Sequence, residues 1–193
     1  MVNDPNLKKI HIVFNGQETP PMKISQLFDA RRFNRLTAVT GDVTADFFNR
    51  YLSNFIKVEL ALQTPKVSDA KTADEVITKE ALANALLTVA NKRPAKLFEG
   101  LTSSNQANVL SGLFTVEMSP VQALHSHFYL LSNHETHDTR VILGSIDLTA
   151  DSFNKDRNQF EEVLVFDNDI RLFQNLSEPF TKEIRPILRP YLT

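Results

Sequence analysis

The strongest constraint on the fold is a rhythm in the sequence. Short apolar, β-branched runs recur along the whole chain and alternate with longer polar or helically spaced stretches. Runs of this length suit single strands, and the stretches between them are long enough to cross back over a sheet. The rhythm fits α/β or α+β, and the expected architecture is α/β, a mixed β-sheet with helices on both faces. Lys9–Phe14 reads as a first strand closed by an Asn15-Gly16 turn, and Leu36–Thr40 as a second, nearly all apolar, ending at Gly41. From Thr44 onward, Phe47, Phe48, Tyr51, Leu52 and Phe55 follow a helical stripe, with Asp42 or Thr44 placed to cap it. Val58–Leu62 follows as a third strand. A strand, a helix and a strand in this order favour a parallel crossover.

Residues 63–73 are polar and contain a proline, and read as a loop. A helix is expected from about Asp74 to Asn91, with Val76, Ile77, Leu82, Leu86, Leu87 and Ala90 on one face. Gly100–Asn108 gives no clear periodicity. Four closely spaced strands are expected at Leu113–Met118, Ala123–Leu131, Thr139–Leu143 and Phe160–Phe166. From Asp169 the spacing is helical but is interrupted by Pro179, Pro186 and Pro190.

At 193 residues the chain suits a single domain. Lys and Arg number 21 against 23 Asp and Glu, a net charge of −2, so any polyanion would be met by a local patch, not a bulk positive field. Arg31, Arg32 and Arg35 form one such cluster, and Lys92, Arg93 and Lys96 another. With no cysteine, disulfides and thiolate chemistry are excluded, which suits a cytoplasmic protein. The first residues lack the apolar core of a secretion signal, and no run approaches the length of a membrane span. The expectation is a soluble cytoplasmic protein that takes no cofactor and does not insert in a membrane. The ending IRPILRPYLT has little cap character and is compatible with a longer parent chain.

The chemistry-bearing residues are concentrated. Four of the five histidines and the only Gly-Ser pair lie between residues 124 and 147. Strand alternation puts His125 and His127 on one face, with Ser126 and Phe128 on the other. The chain then turns through Ser132–Thr139 and returns to deliver Gly144-Ser145 beside them, at one edge of the sheet. Gly permits close approach of a phosphate oxygen, and Ser offers a hydroxyl and an amide. A different reading makes His125, His127, His134, His137 and Asp138 a metal site, with Glu161 as a further ligand.

The stretch His125-Ser-His127-Phe-Tyr-Leu-Leu, followed by Gly144-Ser145-Ile-Asp147 and then Glu161-Glu162, resembles the phospholipase D-like (HKD-motif) superfamily. That family's pattern is His-x-Lys, a following Asp, Gly-Ser-x-Asn and a downstream Glu. The resemblance spans about residues 30–170. It implies metal-independent phosphodiester chemistry, in which His125 attacks phosphorus to form a phosphohistidine and a second histidine protonates the leaving oxygen. His127, Gly144, Ser145 and Asp147 would lie against the phosphate, and Glu161 or Glu162 would hold an imidazole. Three positions depart from the pattern. His127 replaces the Lys, Ser132 the Asp and Asp147 the Asn, which weakens the expected hold on phosphate.

The resemblance therefore implies a degenerate nuclease-type domain, weakly active or inactive, that binds nucleic-acid phosphodiesters. A non-catalytic interaction module is the alternative. The family site uses two copies of the motif across a two-fold axis, and this chain has one. A homodimer or a second domain is the implied partner.

Overall fold

The computed structural model describes residues 10–14, 22–63, 95–119, 127–153 and 162–190. Eight strands form one mixed sheet: β1 (Ile10–Phe14), β2 (Arg35–Thr40), β3 (Lys57–Leu62), β4 (Phe114–Met118), β5 (His127–Ser132), β6 (Thr139–Gly144), β7 (Glu162–Asp167) and β8 (Arg189–Pro190). Their spatial order is β1-β7-β6-β5-β2-β3-β4-β8. The β2-β3 and β3-β4 pairs are parallel and all others antiparallel, so the sheet is mixed as expected. The helix expected over Asp74–Asn91 lies outside the described residues.

Period-two alternation builds two cores. On one face, Leu36 and Ala38 of β2, Leu60 of β3, Phe114 of β4, Tyr129 and Leu131 of β5, Ile142 of β6 and Val163 of β7 pack in one cluster. Helices α1 (Ile24–Leu27) and α2 (Ala45–Phe47) cover that face, together with helical residues 95–100 and α3 (Ser103–Leu110). On the other face, Val39, Ala61, Phe128, Leu130 and Val141 meet the C-terminal helix α4 (Ile170–Pro179) and the turns after it, through Leu172, Phe173, Leu176, Phe180 and Leu188. Arg185 reaches from those turns to the Glu59 carboxylate on the same face of β3.

Helix α2 begins where the sequence places it. Thr44, not Asp42, is the cap, its hydroxyl accepting from Phe47 N–H at 3.4 Å. The helix widens to a π-turn over Phe48–Leu52, closed by the bond from Ser53 N–H to Phe48 O at 2.9 Å. That extra residue per turn keeps Phe47, Phe48, Leu52 and Phe55 all buried, with Tyr51 at their margin. The uninformative stretch before β4 forms α3, capped by Thr102. At the C-terminus, α4 is capped by the Asp169 carboxylate, which accepts from Leu172 N–H at 3.0 Å. Pro179 closes it because proline has no N–H to give the preceding turn, and the chain continues as a π-turn over Phe180–Ile184 and a 3₁₀ turn over Arg185–Ile187.

One expectation about position needs correction. The Gly144-Ser145 turn is not at an edge of the sheet. β7 and β1 continue the ladder beyond β6, so β5 and β6 are interior strands and the turn lies at their ends. It shares that end with the carboxyl ends of the parallel strands β2, β3 and β4.

Candidate functional site

The C-terminal end of β2 organises the site. After buried Thr40 the chain leaves the sheet through Gly41 and Asp42, and segment 145–148 runs alongside it. Leu148 N–H donates to Asp42 O at 3.1 Å and Thr44 N–H to Leu148 O at 3.1 Å. Alignment of the two segments brings the Asp147 carboxylate onto the β2 terminus. Its Oδ1 accepts from Thr40 Oγ1 (3.0 Å), Gly41 N–H (2.9 Å) and Asp42 N–H (2.9 Å). Two successive amides and a hydroxyl turned on one oxygen form a small anion nest, and Asp147 itself fills it.

His127, the first residue of β5, pairs in register with Gly144. Phe128 faces the second core, so His127 is directed to the opposite face. Its Nδ1 lies 3.1 Å from Ser145 O, 3.3 Å from Ile146 O and 3.6 Å from Asp147 Oδ1. A carbonyl oxygen can only accept, so Nδ1 carries the proton and a neutral ring has its lone pair on Nε2. Gly41 is the close neighbour of that nitrogen. A Cβ at Gly41 would stand 3.4 Å from Nε2 and 3.0 Å from Asp147 Oδ1, so glycine holds open the contact between the β2 terminus and the ring.

Below the ring, fully buried Tyr129 supports the segment from within the core. Its hydroxyl donates to Ile146 O, the carbonyl that also accepts from His127, and its ring packs edge-on against Phe28 at 5.6 Å. Thr40, Gly41 and Tyr129 do not stand out in the sequence. The Thr-Gly-Asp turn closing a central strand is the available signal.

Gly144 and Ser145 continue the β6-β7 ladder. Ser145 N–H donates to Glu162 O at 3.1 Å, and Glu162 N–H donates to Ser145 Oγ at 3.2 Å. The Ser145 amide is thus taken up by β7, while the residue itself is exposed. A Cβ at Gly144 would come within 2.0 Å of Glu162 O and 2.9 Å of Val163 Cα, so close strand packing alone demands glycine there. His125 and Glu161 lie outside the described residues. Glu162 opens β7 and is exposed.

The metal reading does not match this geometry. β5 separates His127 from His134 and His137, which lie in the turn at its other end, about 20 Å away at the usual rise of an extended strand. Asp138, offered as a ligand, is instead paired with Arg32 at 2.8 Å and accepts from Thr136 and Asn168. Among the described residues, no group of three or more His, Cys, Asp or Glu is placed to hold a metal ion.

Around that distant turn the charges are sealed. Arg140, only 5% exposed, holds Asp167 with Nε at 2.6 Å and Nη2 at 2.8 Å, and its third nitrogen donates to the Gln26 and Leu27 carbonyls of α1. Arg32 bridges Asp167 and Asp138, which removes it from the basic surface cluster the sequence suggests. The Arg32 hydrogen bond holds the Asp138 carboxyl below its ordinary range. Burial would raise Asp167, but its bonds to Arg140 and Arg32 outweigh burial and lower it.

No protein-family profile and no curated protein matches the chain. Among solved structures it is similar to phosphatidylserine synthase from Haemophilus influenzae Rd KW20, with a TM-score of 0.60 and 17% identity. The match covers 97% of this chain and 41% of that one, so the chain spans about two fifths of that protein's length. The likeness establishes a shared α/β fold.

Proposed function

We propose that this chain is a phosphodiester-binding domain of phospholipase D-like type whose site lies at the His127 end of the sheet. The observation that carries the reading is the His127 ring, fixed by two backbone carbonyls and directed past Gly41 beside an exposed serine. A ring held in this way keeps one tautomer, so Nε2 accepts or, once protonated, donates to an anionic oxygen without reorganising. His125, two residues earlier, is the nucleophile: its imidazole displaces the leaving oxygen from phosphorus, a histidine proton passes to that oxygen, and water then hydrolyses the phosphohistidine. His127 and Ser145 hold phosphate oxygens, and Glu161 orients an imidazole.

Turnover is weak. His127 brings less fixed positive charge than lysine, and Asp147 occupies the amide nest at the β2 terminus with a charge of the same sign as phosphate. The substrate is a nucleic-acid phosphodiester, and the site is completed by a second copy of the chain.

A second reading is favoured by the name of that synthase: the phosphodiester belongs to a phospholipid. Among the described residues, no helix is long and apolar enough to cross a membrane. The test offers labelled DNA, RNA, short-chain phospholipid and a chromogenic phosphodiester to the purified protein with chelator present. Chelator-resistant hydrolysis lost in His125→Ala supports catalysis, and binding without turnover, weakened in His127→Ala, supports a binding role. No interaction with any of the four would overturn the reading.

A further inference from the structure

A second feature lies at the opposite end of the sheet and takes no role in the His127 site. Where α1 leads towards β2 and the π-turn leads towards β3, the two connections enclose a hollow of about 540 Å³. Its volume falls inside the roughly 300–1,000 Å³ typical of small-ligand sites. Buried Phe28 and half-buried Tyr51 form the apolar portion of its wall, and Ser25, Asn54, Arg31 and Arg50 supply polar groups.

The two arginines are the unusual element. Adjacent Arg32 pairs with two aspartates, and Arg140 with one aspartate and two carbonyls. Among the described residues, the Arg31 and Arg50 guanidinium groups carry no ion pair, hydrogen bond or ring contact, although both line the same hollow. The one carboxylate in the lining, Asp29, turns an oxygen onto the Arg31 amide at 3.1 Å. Two unneutralised cations in one concavity repel each other and focus positive potential into it, a cost that an anion between them relieves. Arginine presents a planar fork that matches phosphate oxygens.

We infer that this hollow is a binding site for the phosphate group of a small molecule, clamped between Arg31 and Arg50. The reading is independent of the proposed role of His127. To keep phosphate at the other end of the sheet from contributing, the titration is made on full-length His127→Ala protein, with inorganic phosphate and adenosine 5′-monophosphate as probes and adenosine as the uncharged control. Saturable binding of at least one phosphate probe is expected, with none for adenosine. Arg31→Ala and Arg50→Ala should each weaken it by about tenfold or more, the loss of a charge-assisted fork. The ratio between the probes tells free from esterified phosphate. Both guanidinium groups lack a structural partner among the described residues, so the variants should fold normally. In the parent protein, phosphate should also shift the Tyr51 ring resonances. Absence of saturable phosphate binding, an affinity unchanged by both arginine variants, or unmoved Tyr51 resonances would overturn the inference.

Discussion

The two ends of the central strands carry charge in different ways. At the Arg140 end, two arginines and two aspartates neutralise one another and fasten α1 to β6 and β7. At the His127 end, one carboxylate oxygen, on Asp147, is held by two neutral amides and a hydroxyl, and a histidine beside it keeps a nitrogen unprotonated in its neutral form. Mutual neutralisation leaves those four side chains little to offer a ligand but much to lose in stability. Partial satisfaction by neutral donors leaves chemistry available at small structural cost. Substitutions within the Arg140, Arg32, Asp138 and Asp167 network should therefore act on folding, and that of His127 on binding.

The largest expected effect is at Arg140. Arg140→Ala leaves Asp167 without its bidentate partner and two α1 carbonyls without a donor, and should cost about 3–5 kcal/mol in denaturant unfolding. Acid should act on the same network. Asp138 and Asp167 are held below their ordinary range, so their contribution is complete above the unfolded carboxylate pKa of about 4 and is lost as pH falls through the folded values. A pH series of melting temperatures should show that loss, and it should shrink in Asp138→Asn.

Gly144→Ala comes next. A methyl driven into the β7 backbone must push a pair of interior strands apart, at a cost of about 1–3 kcal/mol or more. Asp147→Ala should cost about 1–2 kcal/mol, because the Gly41 and Asp42 amides lose an acceptor in a site that water can partly reach. His127→Ala should cost least, below about 1 kcal/mol, while weakening phosphodiester binding most. An Arg140 variant that folded stably but failed to bind, or a His127 variant that unfolded, would break the distinction between the two ends.

Much of the sheet is legible in the sequence because its strands are apolar and β-branched. Leu36–Thr40, Val58–Leu62 and Thr139–Leu143 each fall within a residue of the observed strand bounds. Strand order is not legible. β1 pairs β7 across most of the chain, and nothing local in IHIVF specifies that partner, so Gly144-Ser145 reads as an edge turn although β7 covers that edge. Helix α3 escapes a reading by periodicity because its SSNQANVL sequence has no apolar stripe and relies on the Thr102 cap and on Asn49, which bonds Asn105.

In the site, the pairing of His127 with Gly144-Ser145 follows from alternation and one tight return. The Asp147 contact with Thr40 and Gly41 spans more than a hundred residues and exists only once β2 and β5 are paired. Composition alone groups His134 and His137 with His127, and the length of one strand separates them.

Phosphodiester recognition of the phospholipase D-like kind is assigned to the His127 end and not to the sealed Arg140–Asp167 network. The most direct measurement is a titration of Arg31→Ala/Arg50→Ala protein carrying ¹⁵N-labelled histidine, in which the hollow can no longer hold phosphate, with a dinucleotide phosphodiester in chelator and with the ring nitrogens observed. The His127 Nε2 resonance should move with saturation while those of His134 and His137 stay fixed. Movement confined to His134 and His137, or saturable binding that leaves His127 unmoved, would contradict it.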